Sequence, residues 1–344
     1  MRKRLYQLFL SGGLCFAMLM TAGTREVCAD NGTEVPQADE KAMVNTERAA
    51  SASWELDPDD TLRIRRTGAM DEASQEWDRD SIYMVVLEQG ITEIPDYTFQ
   101  GCRNLESVQI QDGVARIGRA AFQDCSALQT IVMPDSVTEI GESAFQLCRH
   151  LRHVRLPASL TTVENGVFAG CTDLEEIVIP ANVSRIRSGA FSQCEGLKEV
   201  VFSGSAIKTI DSQAFYRCEK LKELELPNSL ETIGAFAFCD CVSLTRVEFQ
   251  DGLKEIGLCS FAGCGLEKVW LPDSVLFIGQ EAFYFCEHLS VVSLGANVEK
   301  VGRYAFHECG LTEFHFRGGR EQWNALRIWS QDDKMNEILV IEDE

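Results

Sequence analysis

The sequence has few of the residues on which catalysis and metal binding most often depend. It contains five histidines among 344 residues, at positions 150, 153, 288, 307 and 315, and they show no metal-ligand spacing. No Ser/His/Asp order, phosphate-binding loop or paired-carboxylate motif stands out. These absences predict a protein that is not an enzyme and that has no catalytic residues, no cofactor and no metal site.

Basic residues are also scarce. Lysine and arginine total 32 against 53 aspartates and glutamates, which gives a formal net charge of −21. Proteins that bind nucleic acid or anionic lipid use lysine and arginine to displace counterions, so this composition excludes both partners. A surface of this charge attracts basic partners, although solubility is the commoner reason for such a composition.

The sequence lacks an apolar run long enough to span a membrane as a helix. The longest apolar stretch, residues 5–20, is interrupted by polar residues and glycines, and a spanning helix needs about 20 apolar residues. Basic residues 2–4 precede it, and Val27-Cys28-Ala29 follows with the small side chains of a cleavage site. Residues 1–29 are therefore predicted to be a cleavable signal peptide, with an uncleaved anchor as the alternative. We expect a secreted or cell-surface protein with no membrane insertion after cleavage.

What the sequence has in abundance is a repeat. A phenylalanine followed three residues later by a cysteine occurs ten times, with successive phenylalanines 22 to 24 residues apart. The phenylalanines are at 99, 122, 145, 168, 191, 215, 238, 261, 283 and 306, and the cysteines at 102, 125, 148, 171, 194, 218, 241, 264, 286 and 309. A fixed period in the twenties predicts a solenoid of stacked coils.

Each repeat has three parts. A strand with the pattern Leu-x-x-Val-x-Leu, such as Leu151/Val154/Leu156, buries one face by alternation. Proline, glycine or asparagine then ends the strand. A second apolar pair, such as Val137 and Ile140, leads into the Phe-x-x-Cys segment, which is predicted to be a short helical or 3-10 turn. The pattern predicts a mostly β solenoid over residues 82–316.

The regions on either side of the repeats differ from them. Residues 30–53 are acidic and have no apolar period, which predicts a disordered leader. Residues 54–81 contain two alternating segments around a turn and are predicted to form an N-terminal cap hairpin. Residues 317–344 are predicted to form a C-terminal cap. Terminal units of a solenoid differ from interior ones because they have a neighbour on one side only.

The sequence contains 14 cysteines, which in an exported protein would ordinarily indicate disulfides. Ten of them occupy one position per repeat, so their side chains point the same way, and that arrangement disfavours the torsion of a disulfide. We expect a column of buried free thiols, with occasional disulfides or metal binding as the alternatives. Cys239 and Cys259 lie off the column and are predicted to be the most reactive thiols.

The unit Ile-Gly-x-x-Ala-Phe-x-x-Cys-x-x-Leu-x-x-Val-x-Leu-Pro resembles the leucine-rich repeat of the BspA-like, treponemal-type family of bacterial surface proteins. The resemblance covers residues 82–316 and extends into both caps, through Thr61-Leu62-Arg63-Ile64 and Gln322-Trp323. It implies a curved, right-handed leucine-rich-repeat coil with a parallel sheet on its concave face. It also implies an exported protein that binds host matrix proteins, such as fibronectin or fibrinogen, or other cells.

The outward positions of the repeat strands are predicted to form two columns on this sheet. The first contains Ser107, Thr130, His153, Glu176, Glu199, Glu223, Arg246, Lys268, Val291 and Glu313. The second contains Gln109, Val132, Arg155, Val178, Val201, Glu225, Glu248, Trp270, Ser293 and His315. Two features depart from a uniformly polar face, namely three valines near an arginine and a single tryptophan.

Exposed tryptophan, arginine and apolar side chains are typical anchors of protein interfaces. The candidate ligand-binding residues are therefore Val132, His153, Arg155, Val178, Val201, Lys268 and Trp270. The plainer alternative is that valine simply suits strands and that one exposed tryptophan has no role.

The sequence as a whole predicts a non-enzymatic, adhesin-like recognition protein that binds an extracellular matrix or cell-surface protein. A module for attachment to cell-wall or host glycans is the first alternative, and it would favour more exposed aromatic residues. An exported hydrolase is the second alternative. The sequence indicates neither the identity of the ligand nor the oligomeric state.

Overall fold

The computed structural model describes residues 53–65, 68–69, 77–328 and 337–342. The chain divides into two units, Met1–Arg48 and Ala49–Glu344, and all described residues belong to the second. The predicted signal peptide and nearly all of the predicted leader lie outside the described residues. Within the described ranges, no helix combines the length and hydrophobicity needed to cross a bilayer.

The described residues form a β-solenoid with very little helix. In chain order its strands are β1 (Ser53–Leu56), β2 (Thr61–Arg65), β3 (Gly68–Ala69), β4 (Met84–Leu87), β5 (Ile91–Ile94), β6 (Ser107–Ile110), β7 (Arg116–Ile117), β8 (Thr130–Val132), β9 (Glu139–Ile140), β10 (His153–Arg155), β11 (Thr162–Val163), β12 (Glu176–Ile179), β13 (Arg185–Ile186), β14 (Glu199–Phe202), β15 (Thr209–Ile210), β16 (Glu223–Glu225), β17 (Thr232–Ile233), β18 (Arg246–Glu248), β19 (Glu255–Ile256), β20 (Lys268–Trp270), β21 (Phe277–Ile278), β22 (Val291–Leu294), β23 (Lys300–Val301), β24 (Glu313–Phe316), β25 (Arg327–Ile328) and β26 (Leu339–Ile341). A 3-10 turn spans Arg79–Ser81, and one helix, α1, spans Arg320–Ala325.

Each interior coil contributes one strand to each of two parallel sheets. The first sheet contains β1, β2 and the even-numbered strands from β4 to β26, and its hydrogen-bond ladder is interrupted after β10, β14 and β18. The second sheet contains the odd-numbered strands from β3 to β25 and is interrupted after β9. The fold class predicted from the repeat is confirmed.

The two ends of the solenoid differ from its interior. At the N-terminal end, β1 pairs antiparallel with β2, and Trp54 packs edge-on against Trp77 with ring centroids 6.1 Å apart. At the C-terminal end, Trp323 of α1 packs against Phe314 and Phe316 at 5.9 and 5.5 Å. These aromatic side chains cover the apolar edges that the terminal coils would otherwise expose to water.

The ten repeat phenylalanines form one continuous stack in the core. Neighbouring rings have centroids 5.1–5.6 Å apart and planes within 18° of parallel. Trp77 extends the stack beyond Phe99 at 5.6 Å. This spacing suits offset stacking of aromatic rings. Because each ring rests on the equivalent ring of the next coil, the stack holds the coils in register.

The Phe-x-x-Cys segment, predicted to be a short helical or 3-10 turn, forms consecutive turns with 3-10-type hydrogen bonds. The Cys102 amide donates back to the Phe99 carbonyl (3.1 Å), as in a 3-10 turn. The Phe99 amide instead donates to the backbone carbonyl of Ala121 in the next coil (2.7 Å). Residues with positive φ recur in this segment, for example Ala120 at 50° and Asp124 at 59°. A helix cannot propagate through left-handed residues, so alternate amides bond within the turn and between coils.

The predicted column of free thiols is present. The twelve cysteines in the described part of the chain are free. The Cys125 thiol donates to the Phe99 carbonyl of the preceding coil at 3.1 Å, and the same contact recurs along the column to Cys309. Burial raises the pKa of Cys102 to about 11 and that of Cys194 to about 12, because a thiolate would be poorly solvated there. These thiols therefore fill the core as small, neutral side chains.

The prediction that Cys239 and Cys259 are the most reactive thiols is wrong. Their side chains are 0% and 4% exposed, and burial raises the pKa of both. They lie off the cysteine column but still within the packed turn layer. Cys309, at the last repeat, is the one half-buried cysteine among the described twelve, because fewer coils cover it.

The glycine that follows the second apolar pair serves close packing between coils. A Cβ added to Gly257 would lie 2.6 Å from the carbonyl carbon of Gly234 in the preceding coil. The close approach of the two backbones is therefore the reason for glycine at this position. Three successive coils have Glu164, Arg187 and Asp211 at this position, so the close approach is not needed in every coil.

Truncation of one ring in the phenylalanine stack should destabilise the whole solenoid. Phe191 is fully buried between Phe168 and Phe215, so we expect Phe191→Ala to lower the free energy of unfolding by about 3–5 kcal/mol. Urea unfolding followed by circular dichroism measures this change. The control, Val242→Ala, alters an exposed side chain and should change stability by less than about 0.5 kcal/mol. Equal effects of the two substitutions would contradict the stacked core.

Alkylation of the native protein should follow burial of the thiols. Among the described cysteines, we expect iodoacetamide to modify Cys309 first and to leave Cys239, Cys259 and fully buried Cys148 unmodified, with urea exposing them all. Mass spectrometry of digested protein identifies the modified positions. Early modification of Cys148 in native protein would mean that the column faces water.

Candidate binding face

The candidate site is the outward face of the first sheet, which we define as the side chains of the two predicted columns. The register of the strands aligns them as the sequence predicted. His153 lies opposite Thr130, and Arg155 lies opposite Val132 on the neighbouring strand β8. Further along, Val178 lies opposite Val201 on β14. The alternation that buries Ile131 and Ile177 in the core leaves these side chains on the other surface.

The valines of this face are exposed to solvent. Val132 is 69% exposed, and Val178 and Val201 are also exposed. Val132 belongs to a ladder that ends at β10, whereas Val178 and Val201 form a directly registered pair on β12 and β14. The three valines therefore do not form one unbroken strip, since Arg155 and the end of the ladder separate Val132 from the other two.

The predicted contact residue Arg155 is held in place by an acidic partner. One of its terminal nitrogens donates to both carboxylate oxygens of Asp135, at 3.1 and 3.2 Å. This hydrogen bond, together with one from the Ala158 amide, lowers the pKa of Asp135. Both side chains are largely exposed, so the pair adds little stability. Its effect is to orient the guanidinium group at the edge of the face, beside the exposed imidazole of His153.

Trp270 is the largest apolar side chain exposed on this face. It lies on β20 and is 61% exposed, with the Lys268 ammonium 5.9 Å from the ring centroid. Such a cation–π contact in solvent contributes about 0.5–1 kcal/mol and restricts the ring. The neighbouring column member Ser293 lies opposite Trp270 and is only 6% exposed, so the accessible surface here belongs mainly to Trp270 and Lys268.

The structure also reveals a depression that the sequence analysis did not select. It has a volume of about 790 Å³ and lies between β14 and β16, where the ladder of the first sheet is interrupted. Val201 and Phe202 line one side, and Glu223, Glu225 and Glu248 line the other. The available signal was the extra residue near Ser203-Gly204-Ser205, which makes that repeat one residue longer than its neighbours.

This arrangement suits noncovalent recognition. Among the described residues, no group of three or more histidine, cysteine or acidic side chains is placed to hold a metal ion. The face instead combines exposed apolar side chains, oriented charges and an open depression on a rigid, parallel sheet. Proteins built from stacked repeats use such extended surfaces for binding.

The fold and this face define a leucine-rich-repeat solenoid. The family model described as "BspA type Leucine rich repeat region (6 copies)" matches residues 92–222 and 208–325, which together make up more than half of the chain. The chain therefore belongs to the BspA-type leucine-rich repeat family, as the repeat unit predicted. No curated protein matches the chain.

Solved structures of bacterial leucine-rich repeat proteins are similar to this chain. A leucine-rich repeat protein from Eubacterium ventriosum is 25% identical with a TM-score of 0.55, and the match covers 78% of this chain and 77% of that protein. The T. pallidum leucine-rich repeat protein is 30% identical over 56% of this chain and 87% of its own, with a TM-score of 0.46. The pneumococcal vaccine antigen PcpA is 16% identical with a TM-score of 0.50, and the match covers 85% of this chain and 96% of PcpA.

Proposed function

We propose that this chain is a secreted or cell-surface recognition protein without enzymatic activity, and that it binds a protein ligand through the outward face of the first sheet. The observation that carries the proposal is the exposure of Trp270 and of three valines on a sheet face that no element among the described residues covers. A large exposed tryptophan in a polar surround is a common anchor of protein interfaces. The parallel sheet holds these side chains at fixed spacing, which lowers the entropy cost of binding.

Membership of the family and the N-terminal sequence support the proposed location, which is outside the cell or at its surface. The chain belongs to the BspA-type repeat family, whose resemblance implies a bacterial surface protein, and residues 1–29 have the composition of a secretory signal. We therefore propose a ligand outside the cell, either an extracellular matrix protein or a protein on another cell. The acidic composition supports the absence of nucleic acid and anionic lipid from its partners.

Two alternatives are less well supported. A glycan-attachment module would use several exposed aromatic rings for stacking, whereas Trp270 is the one tryptophan of the two outward columns. A hydrolase would need a nucleophile or acid–base pair in a cleft, and the exposed residues of this face lack such a constellation. A screen of the purified protein for hydrolytic activity tests the second alternative, with no turnover as the expected result.

Removal of two anchors from the face should strongly weaken ligand capture without unfolding the protein. We expect Trp270→Ala/Arg155→Ala to weaken binding of the full-length protein to immobilised fibronectin or fibrinogen about tenfold or more, since these side chains are typical interface hot spots. Surface plasmon resonance measures the affinity, and differential scanning calorimetry should show an unchanged melting temperature because both side chains are exposed.

The matched control is Phe277→Ala/Arg103→Ala. It removes an exposed aromatic ring from the second sheet and an arginine paired with Asp124, away from the outward face. The affinity of this control for fibronectin or fibrinogen should stay within about twofold of the wild-type value, because side chains outside an interface contribute little to binding. Undiminished capture by the Trp270/Arg155 variant, or equal loss in the control, would exclude this face as the binding site.

A further inference from the structure

We propose that the part of the outward face between β12 and β18 binds an extended, basic protein segment whose arginine or lysine side chains enter the depression between β14 and β16. This inference rests on the proposed protein-binding function, and it adds the chemistry of the partner. Four observations support it, namely the register of the glutamates, the shortage of cations beside them, the lining of the depression and the exposed apolar side chains at its edges.

The first observation is that like charges face each other across neighbouring strands. Glu176 lies directly opposite Glu199, and Glu225 lies directly opposite Glu248. Neighbouring strands are about 4.8 Å apart, so these carboxylates repel one another, and like charges in register destabilise a sheet. A local arrangement that opposes stability is expected at functional sites, where a ligand supplies the missing interaction.

The second observation is that the protein supplies few cations to this area. Arg246 hydrogen-bonds Glu248 and lies 4.0 Å from Glu223. Lys198, at the rim of the depression, is paired with Glu175 at 2.8 Å. In the part of the chain that the structure describes, no lysine, arginine or histidine forms an ion pair with Glu176, Glu199 or Glu225. These three carboxylates are solvent-exposed and available to a cation from another molecule.

The third observation is that the lining of the depression matches a long basic side chain. Glu199, Glu223 and Glu225 present carboxylates, while Val201 and Phe202 present an apolar wall. Arginine and lysine bury their aliphatic stems against apolar surface and keep the charged group in contact with carboxylates. A guanidinium group can also donate two parallel hydrogen bonds to one carboxylate. The volume of about 790 Å³ leaves room for such side chains together with part of the segment that presents them.

The fourth observation is that apolar anchors lie within and beside this acidic area. The pair Val178 and Val201 lies beside the glutamates of β12 and β14, and Trp270 lies on β20, the next strand of the face beyond β18. Successive side chains of an extended segment point to opposite sides, so only every second residue faces the sheet. A segment whose sheet-facing residues are in turn basic and apolar would therefore place basic side chains over the glutamates and apolar ones over the valines. The charge of the face excludes an acidic segment, because its carboxylates would meet glutamates in register.

The test uses the full-length protein and a fluorescein-labelled short peptide with the repeat Arg-Ser-Val-Ser (the valine–arginine peptide), with binding measured by fluorescence anisotropy. This repeat places arginine and valine on the same side of an extended chain. We expect Glu199→Gln/Glu225→Gln to weaken binding about fivefold, because two exposed charge pairs are lost and each contributes about a factor of two. The matched control Glu255→Gln/Glu299→Gln removes the same charge near the second sheet and should change the affinity less than twofold. The matched peptide with the repeat Glu-Ser-Val-Ser (the valine–glutamate peptide) should not bind.

A charge-reversal experiment gives an independent measurement. Glu199→Lys/Glu225→Lys should bind the valine–glutamate peptide and lose the valine–arginine peptide, and its melting temperature should not fall, since the substitution removes like-charge pairs. Equal loss of affinity in the Glu199/Glu225 and Glu255/Glu299 variants would show that overall charge, not this face, attracts the peptide. That result, or no binding of the valine–arginine peptide to the wild type, would overturn the inference.

The results for this inference and for the proposed function are separable. Matrix-protein capture that depends on Trp270 and Arg155, together with no binding of the basic peptide, would refute only the inference. The opposite result is peptide binding that depends on Glu199 and Glu225, with matrix-protein capture that does not depend on Trp270 and Arg155. It would support the basic-segment site and refute the anchors of the proposed function.

Discussion

The stacking of phenylalanine on phenylalanine is the interaction on which the rest of this structure depends. Rings in neighbouring coils lie 5.1–5.6 Å apart, close to the spacing of hydrogen-bonded strands. Each repeat must therefore advance the solenoid by one strand spacing, and insertions are confined to turns. The thiols of the repeat cysteines from Cys125 to Cys309 donate to a phenylalanine carbonyl of the preceding coil, and alternate turn amides donate to backbone carbonyls of the next coil. Together these contacts fix the register of both sheets.

The side chains on the outward face of the first sheet can vary because they are not part of the core packing. Stability comes from side chains on the inner face and in the turns, which are apolar and fully buried through most of the coils. The outward positions contribute little to that core, so glutamates in register and an exposed tryptophan are tolerated there. The same fold can thus present different binding surfaces, and function depends on the side chains of the face and not on the solenoid itself.

The outward face of the first sheet is uneven where its hydrogen-bond ladder is interrupted. The ladder ends after β14, at the repeat that is one residue longer, and the depression lies at that point. The stacked phenylalanines Phe191 and Phe215 continue past it without a gap, 5.1 Å apart. The extra residue is therefore absorbed in the turn after β14, where it changes the surface and leaves the core in register. A binding feature can arise in this way without loss of core packing.

The sequence by itself determined the solenoid, its period, the buried phenylalanine and cysteine columns, and the outward position of Val132 and Trp270, because these follow from periodicity alone. It did not determine the conformation of the Phe-x-x-Cys turn, since left-handed residues such as Asp124 are stabilised by hydrogen bonds to the next coil. It also failed for Cys239 and Cys259, whose burial depends on neighbouring coils. The depression between β14 and β16 was decided only by tertiary structure, because the width between two coils depends on how both of them pack.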